Sequence, residues 1–85
     1  DKENPYIETL GENSWKIDGR FPVEDAELLG WPVEESPDYE TMAGWLMSNF
    51  DSVPEVGDTF EYEGYIFKIL SMRRRRILSM KVERL

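Results

Sequence analysis

Segments in which apolar and polar residues alternate lie at both ends of this chain, and residues with helical spacing lie between them. Residues 6–10 and 14–18 alternate in this way and are rich in aromatic and β-branched side chains, with turn residues at 11–13. They predict a β-hairpin at the N-terminal end. Because alternate side chains of a strand point to the same face, we expect Trp15 and Ile17 to be buried together.

A first short helix is predicted for residues 23–29. Pro22 suits the first turn of a helix, and the acidic residues Glu24 and Asp25 favour the positive end of the helix dipole. Gly30 is a natural residue for the end of a helix.

A second helix is predicted for residues 39–49, where Met42 and Trp45 have helical spacing and Asp38 is a plausible N-cap. Gly44 lies inside this helix and costs about 1 kcal/mol relative to alanine. We expect another part of the chain to pack closely against the backbone at this glycine.

A second hairpin is predicted at residues 59–62 and 65–70, which flank a Glu63-Gly64 turn. A turn at 73–76 then leads to a last strand at 77–85. The order is therefore β-β-α-α-β-β-β. It predicts an α+β fold in which two short helices pack on one face of a mainly antiparallel sheet of about five strands.

The last predicted strand contains a break in its alternation. Met80 and Val82 alternate regularly, whereas Ile77 is out of phase with them. This break predicts a β-bulge near Leu78 and Ser79.

Two turn segments combine glycine with charged residues. In Asp18-Gly19-Arg20 we expect Gly19 to supply a turn conformation, while Arg20 either pairs with a nearby acid or clamps an anion. Residues 54–58 are typical of a turn that enters a strand, in which Gly57 adopts positive φ and Asp58 bonds its own backbone.

The residue types that are missing limit the chemistry of this chain. It has no cysteine and no histidine, which excludes disulfides, thiolate chemistry, cysteine-based zinc sites and histidine bases. It has neither a nucleophile with a base partner nor a glycine-rich phosphate loop, so we do not expect an enzyme. No apolar stretch approaches the roughly 20 residues that a membrane-spanning helix needs.

Charge is distributed unevenly within the net charge of −8. Residues 1–64 carry 17 acidic and 3 basic side chains, whereas residues 65–85 carry 1 acidic and 7 basic side chains. The two parts should attract each other. Because the acidic excess opposes contact with phosphate backbones, nucleic acid is not an expected partner.

Seven short motifs follow one another along the chain. They are Trp15, Asp18-Gly19-Arg20, Leu28-Leu29, Thr41 with Gly44, Pro54 with Gly57-Asp58, Phe67-Lys68-Ile69 and Arg76-Ile77. In this order they resemble the transporter-associated domain, also called the CorC/HlyC domain, from Trp15 to Val82. The arginine run at 73–76 is more basic than that pattern requires.

The resemblance implies a place and a role for this chain. Residues 1–85 would be one domain excised from a bacterial membrane protein of the kind named hemolysin or magnesium and cobalt efflux protein, on the cytoplasmic side of the membrane. The domain would modulate ion transport without catalysis. Its partners would be the cystathionine-β-synthase (CBS) and membrane domains of the parent chain, or a second copy in a homodimer.

The resemblance also implies a rival function as a nucleotide-binding module. The family's fold is related to a subdomain of the FAD-binding fold, so FAD or an adenine nucleotide is a ligand by resemblance only. We expect no cofactor in the isolated domain, because a complete FAD site usually needs a second subdomain.

Candidate contact residues are chosen for their charge or their large aromatic surface. They are Arg20, Trp31, Trp45, Arg73, Arg74, Arg75 and Arg76. The tryptophans are alternatively core residues. The arginine run either faces anionic lipid headgroups or is a solvated hairpin tip.

A divalent-cation sensor is the remaining alternative. Magnesium prefers oxygen ligands, and carboxylates are concentrated in the acidic part of the chain at Glu24, Asp25, Glu27, Glu34, Glu35 and Asp38. A charged run is normally a solvated face, so we assign no metal ligands.

Overall fold

Five strands and two helices make up the computed structural model, which describes residues 4–85. The elements are β1 (Ile7–Gly11), β2 (Ser14–Asp18), α1 (Val23–Leu28), α2 (Met42–Met47), β3 (Thr59–Tyr62), β4 (Tyr65–Arg73) and β5 (Arg76–Arg84). This order confirms the predicted α+β fold class. The domain predicted for residues 1–85 includes residues 1–3, which lie outside the described part.

The strands form one antiparallel sheet in the order β1-β2-β5-β4-β3. The C-terminal strand β5 therefore lies at the centre, between β2 of the first hairpin and β4 of the second. Trp15 opposes Val82 in the β2–β5 pair, and Val82 opposes Phe67 in the β5–β4 pair. The two predicted hairpins are thus joined through the last strand of the chain.

One face of this sheet supplies half of the core. Side chains at alternate strand positions are almost completely buried there, with 0–1% of their surface exposed: Ile17, Phe67, Ile69, Met80 and Val82. The helices and the segments around them cover this face. Trp15 is only half-buried, and its ring lies 5.3 Å from that of Trp31.

The bulge predicted in the last strand is present. Ile69 opposes Met80, but Ser71 then opposes Ser79 and Met72 opposes Ile77. One residue is therefore extra on each strand. The irregularity confirms the phase break, because it places Ile77 and Met80 on the buried face although two residues separate them.

The second helix is shorter than predicted. It begins at Met42 rather than at residue 39, and its N-cap is Thr41 rather than Asp38. The hydroxyl of Thr41 accepts a hydrogen bond of 3.2 Å from the backbone N–H of Gly44. Residues 39–41 are not helical because their backbone bonds to the start of α1, where the Val23 N–H donates to the carbonyl of Glu40.

The end of this helix also comes early, at Met47 instead of Asn49. The hydroxyl of Ser48 and the side-chain amide of Asn49 donate to the carbonyl oxygen of Trp45 at 2.7 and 2.8 Å. These side chains take the place of backbone donors and end the helical pattern.

Gly19 is essential for a reason that differs from the prediction. Gly19 lies in the predicted turn, which the Phe21 N–H closes by donating to the Asp18 carbonyl at 2.9 Å, but its φ is not positive and the turn itself does not require glycine. Its N–H donates to the carbonyl of Leu78, and its carbonyl accepts from the N–H of Ala43. A Cβ atom at this position would overlap the carbonyl oxygen of Ile77 and lie 3.0 Å from the Cβ of Ala43.

Gly44 confirms the expected close packing in a milder form. An added Cβ would lie 3.2 Å from the Cβ of Tyr39 and 3.5 Å from the hydroxyl oxygen of Thr41. Of these two glycines, only Gly19 lies at a contact between the sheet and the helices, because the neighbours of Gly44 immediately precede its own helix.

Replacement of Gly19 by alanine should destabilise the fold by about 1–3 kcal/mol or more, because backbone atoms of β5 would have to move. Urea unfolding followed by tryptophan fluorescence measures the change. Gly11→Ala is the matched control, since its added Cβ would meet only the hydroxyl of Ser14 at 3.3 Å. Equal stability of the two variants would contradict this role of Gly19.

Candidate functional site

A groove of about 670 Å³ lies beside the start of α1. It forms because residues 36–41 run along Phe21 and Val23: the Met42 N–H donates to the Phe21 carbonyl at 2.8 Å, and the Val23 N–H donates to the Glu40 carbonyl at 3.0 Å. Ten residues line the groove: Arg20, Pro22, Val23, Glu24, Glu35, Ser36, Pro37, Tyr39, Glu40 and Thr41.

The charge of this groove is mainly negative. Three carboxylates, those of Glu24, Glu35 and Glu40, share it with one guanidinium, that of Arg20. A groove with this lining attracts cations more than anions.

Arg20 is already paired within the chain. Its Nε and Nη2 atoms lie 3.0 and 3.3 Å from the two carboxylate oxygens of Asp18, and its backbone N–H donates to the same carboxylate at 2.8 Å. The guanidinium carbon lies 5.0 Å from the ring centre of Tyr6. Pairing with a nearby acid was one of the two predicted roles; anion clamping by Arg20 stays a prediction.

The ion pair shifts both pKa values. The hydrogen bond from the Arg20 side chain lowers the pKa of Asp18 below its usual 3.8, although partial burial opposes the shift. The same hydrogen bond raises the pKa of Arg20. Because the Arg20 side chain is 73% exposed, solvent screens this attraction and its contribution to stability is small.

The fold buries Trp31 and Trp45, which were predicted to be contact residues. Only 3% of Trp31 and 6% of Trp45 is exposed. Trp31 packs on Phe21, and Trp45 packs edge-on against Phe67 at 4.9 Å. Their burial favours the alternative role as core residues, and neither enters the proposals below.

The four predicted arginines surround the tight turn between β4 and β5. All four are exposed, and they line a cleft of about 340 Å³. Arg73 and Arg76 oppose each other across the strands, and Arg74 has a positive φ of 59°. The structure therefore brings four guanidinium groups together at one end of the hairpin.

A row of lysines lies on the uncovered face of the sheet and was not predicted from the sequence. Lys16 opposes Lys81, and Lys81 opposes Lys68, so that three positive charges lie side by side on β2, β5 and β4. We call these three residues the lysine row. They alternate with buried residues along each strand and so lie opposite the core. The lysines belong to distant segments, and only the strand order brings them together.

Directly opposed like charges destabilise a sheet. Among residues 4–85 the only ion pair within 4.0 Å is that of Arg20 with Asp18, although Glu8 on β1 is the cross-strand partner of Lys16 and adds one negative charge at the end of the lysine row. Such an arrangement is typical of a surface that meets negative charge on another molecule.

The described residues contain neither a metal cage nor a membrane span. No three acidic side chains within residues 4–85 are grouped so that they could hold a metal ion. In the same part of the chain no helix is long and apolar enough to cross a membrane.

Acidification should remove the contribution of the Asp18–Arg20 pair. The pKa of Asp18 is lower in the folded chain than in the unfolded chain. The pair therefore stabilises the fold at pH values above the unfolded-state pKa, and this stabilisation is lost as the pH falls through the folded-state pKa. Asp18→Asn should therefore lose at most about 1 kcal/mol near pH 6 and progressively less below about pH 4. Urea unfolding at a series of pH values measures this difference.

Arg20→Gln supplies the second variant for this test. It removes the guanidinium partner but keeps the carboxyl group of Asp18. Its loss of unfolding free energy relative to the unchanged chain should therefore shrink over the same acidic range. A deficit that stayed constant down to pH 2 in both variants would contradict the assigned cause.

Comparison with known proteins gives one family. The model of the transporter associated domain, CorC/HlyC, matches residues 8–85. The chain is 33% identical to the polyamine export protein of Haemophilus influenzae over 79 residues, which are 88% of this chain but 18% of that protein. The chain therefore spans less than a fifth of the length of this relative.

Solved structures of single domains agree closely with this fold. The transporter associated domain from Nitrosomonas europaea has a TM-score of 0.83 at 29% identity and covers 98% of this chain and 100% of its own. The domain from a Xylella fastidiosa hemolysin, in complex with Mg²⁺ and Mn²⁺, has a TM-score of 0.77 at 32% identity and covers 94% of this chain and 98% of its own. With residues 8–85 matched and the fold shared, the chain belongs to the transporter associated domain family, as its motifs predicted.

Proposed function

We propose that this chain is a non-catalytic accessory domain that modulates cation transport by a larger membrane protein. The observation that carries the proposal is the match of residues 8–85 to a family of domains associated with transporters. The polyamine export protein supports a cationic cargo, and the family resemblance adds magnesium and cobalt.

The chemistry of the described residues supports a role without catalysis. Catalytic groups usually combine partial burial with strongly shifted pKa values. No polar or charged side chain of residues 4–85 is buried, and the resolved pKa shifts belong to the exposed Asp18–Arg20 pair. The domain is therefore suited to contact rather than to reaction.

Modulation requires an interface that differs between states of the transporter. A partner can shift a conformational equilibrium only by its differential affinity for the two states. The lysine row is the surface that we assign to this interface, since it places three positive charges side by side and none of them forms an ion pair within 4.0 Å in the described residues. Its partner would be an acidic surface of the CBS or membrane domains, or of a second copy, on the cytoplasmic side of the membrane.

Neutralising the lysine row should change transport without unfolding the domain. The test grafts this chain in place of the corresponding part of the Haemophilus influenzae polyamine export protein and measures polyamine efflux from cells. The variant with Lys16→Gln, Lys68→Gln and Lys81→Gln should alter the efflux rate by about fivefold, the factor that corresponds to roughly 1 kcal/mol of interface energy.

The matched control neutralises three exposed acids on the other side of the domain. Glu27→Gln, Glu34→Gln and Asp51→Asn together should leave efflux unchanged, with the protein present in the membrane at the same level. Equal rates for the intact and the lysine-row graft would contradict the assigned interface. Equal rates with and without the domain would contradict modulation altogether.

A second candidate function is weak binding of divalent cations. It is favoured by the complex of the Xylella fastidiosa domain with Mg²⁺ and Mn²⁺ and by the acidic groove of this chain. Since the described residues form no three-carboxylate cage, a Mg²⁺ ion here would keep most of its water ligands.

Titration with Mg²⁺ should therefore move the backbone amide signals of the groove only at about millimolar concentration. Replacement of Glu24, Glu35 and Glu40 by glutamine should abolish these shifts. The acidic triple variant described above is again the control, because none of its residues lines the groove. Absence of any shift at about 10 mM Mg²⁺ would remove this candidate.

A further inference from the structure

We propose that the arginine turn, formed by Arg73, Arg74, Arg75 and Arg76, is a binding site for phosphate groups. The inference does not depend on the proposed role in transport. It rests on a cleft that these four residues line, with a volume of about 340 Å³. A guanidinium group binds two phosphate oxygens through parallel hydrogen bonds, so four of them around one cleft match the chemistry of an oxyanion.

The arginine turn has no counter-charge in the described part of the molecule. All four arginines are exposed, and none lies within 4.0 Å of a carboxylate of residues 4–85. Arg73 and Arg76 are direct cross-strand partners, an arrangement of like charges that disfavours the hairpin. An anion bound between them would relieve this repulsion.

The backbone of the turn holds an arginine in a conformation that favours glycine. Arg74 has a φ of 59° in a two-residue turn, a position at which glycine is strongly preferred. The equivalent first turn position of the neighbouring hairpin also holds a non-glycine residue, Glu63 with a φ of 53°, and glycine follows it at Gly64. Arginine at position 74 therefore costs stability that glycine would not, and the turn itself gives no structural reason for it.

The lining of the cleft defines the ligand class. It contains no aromatic side chain that could stack on a base and no other group that could recognise the rest of a ligand. The site therefore selects the phosphate group itself, as an anionic lipid headgroup or a free phosphate presents it. The acidic residues of the chain oppose this attraction only at short range, because the Debye length is about 8 Å at physiological ionic strength.

The test compares two triple variants with the same change of charge. Arg74→Gln, Arg75→Gln and Arg76→Gln remove three positive charges from the turn, and the lysine-row triple variant removes three from the uncovered face. Each exposed arginine near an anionic membrane contributes about fivefold to partitioning. The arginine variant should therefore bind vesicles of phosphatidylcholine with phosphatidylglycerol at least about tenfold more weakly than the unchanged chain, and the lysine-row variant should keep at least half of its binding.

Vesicles of phosphatidylcholine alone are the control surface, and circular dichroism checks that both variants are folded. Competition by tripolyphosphate would support the proposal and identify free phosphate as a sufficient ligand. Vesicle binding without such competition would also support it and assign the phosphate to a lipid headgroup.

Replacement of Arg74, Arg75 and Arg76 by lysine separates guanidinium recognition from net charge. This variant keeps the charge but loses the two-pronged hydrogen bonds, so its binding should fall severalfold. Three results would overturn the proposal: undiminished binding by the lysine variant, equally strong competition by polyglutamate, or equal binding by the arginine and lysine-row variants. Failure of this test would leave the transport result unaffected, since the two experiments change different surfaces.

Discussion

The fold depends most on the backbone contact between Gly19 and the central strand. The N–H of Gly19 donates to β5 at Leu78, and its carbonyl accepts from α2 at Ala43, so a single residue joins the end of β2 to both neighbours. Any side chain larger than hydrogen would push the carbonyl of Ile77 away. The close approach of the Gly19 backbone to β5 and α2 lets the helical layer pack against the sheet. This packing buries Met80 and Val82 in the core.

The backbone contact at Gly19 also determines where the charged surfaces lie. It places Arg20 at the acidic groove, while the four residues of the arginine turn beyond Ile77 are exposed. No ion pair within 4.0 Å joins the acidic and the basic parts of residues 4–85. Their predicted attraction therefore acts at longer range, and the lysine row and the arginine turn remain available to other molecules.

Sequence patterns were sufficient where a short-range physical rule decides the structure. The alternation of residues 14–18 and the phase break before Met80 predicted a strand and a bulge that are both present. The start of α2 was wrong because Asp38 and Thr41 are both good N-caps, and a backbone bond from Val23 to Glu40 selects between them. The turn at Gly19 was predicted correctly, but the close contacts that exclude a side chain there were not, since those neighbours come from β5 and α2.

The sequence by itself determined the strand and helix order, the family, the uneven distribution of charge and the position of the arginine turn, because each depends on residues close together in the chain. Only the tertiary structure decided which charges become neighbours. Lys16, Lys68 and Lys81 form a row because β5 lies between β2 and β4. Trp31 and Trp45 are core rather than surface because Trp45 of α2 packs against Phe67 of the sheet and Trp31 packs on Phe21. Strand order and layer packing are long-range properties, and no local pattern specifies them.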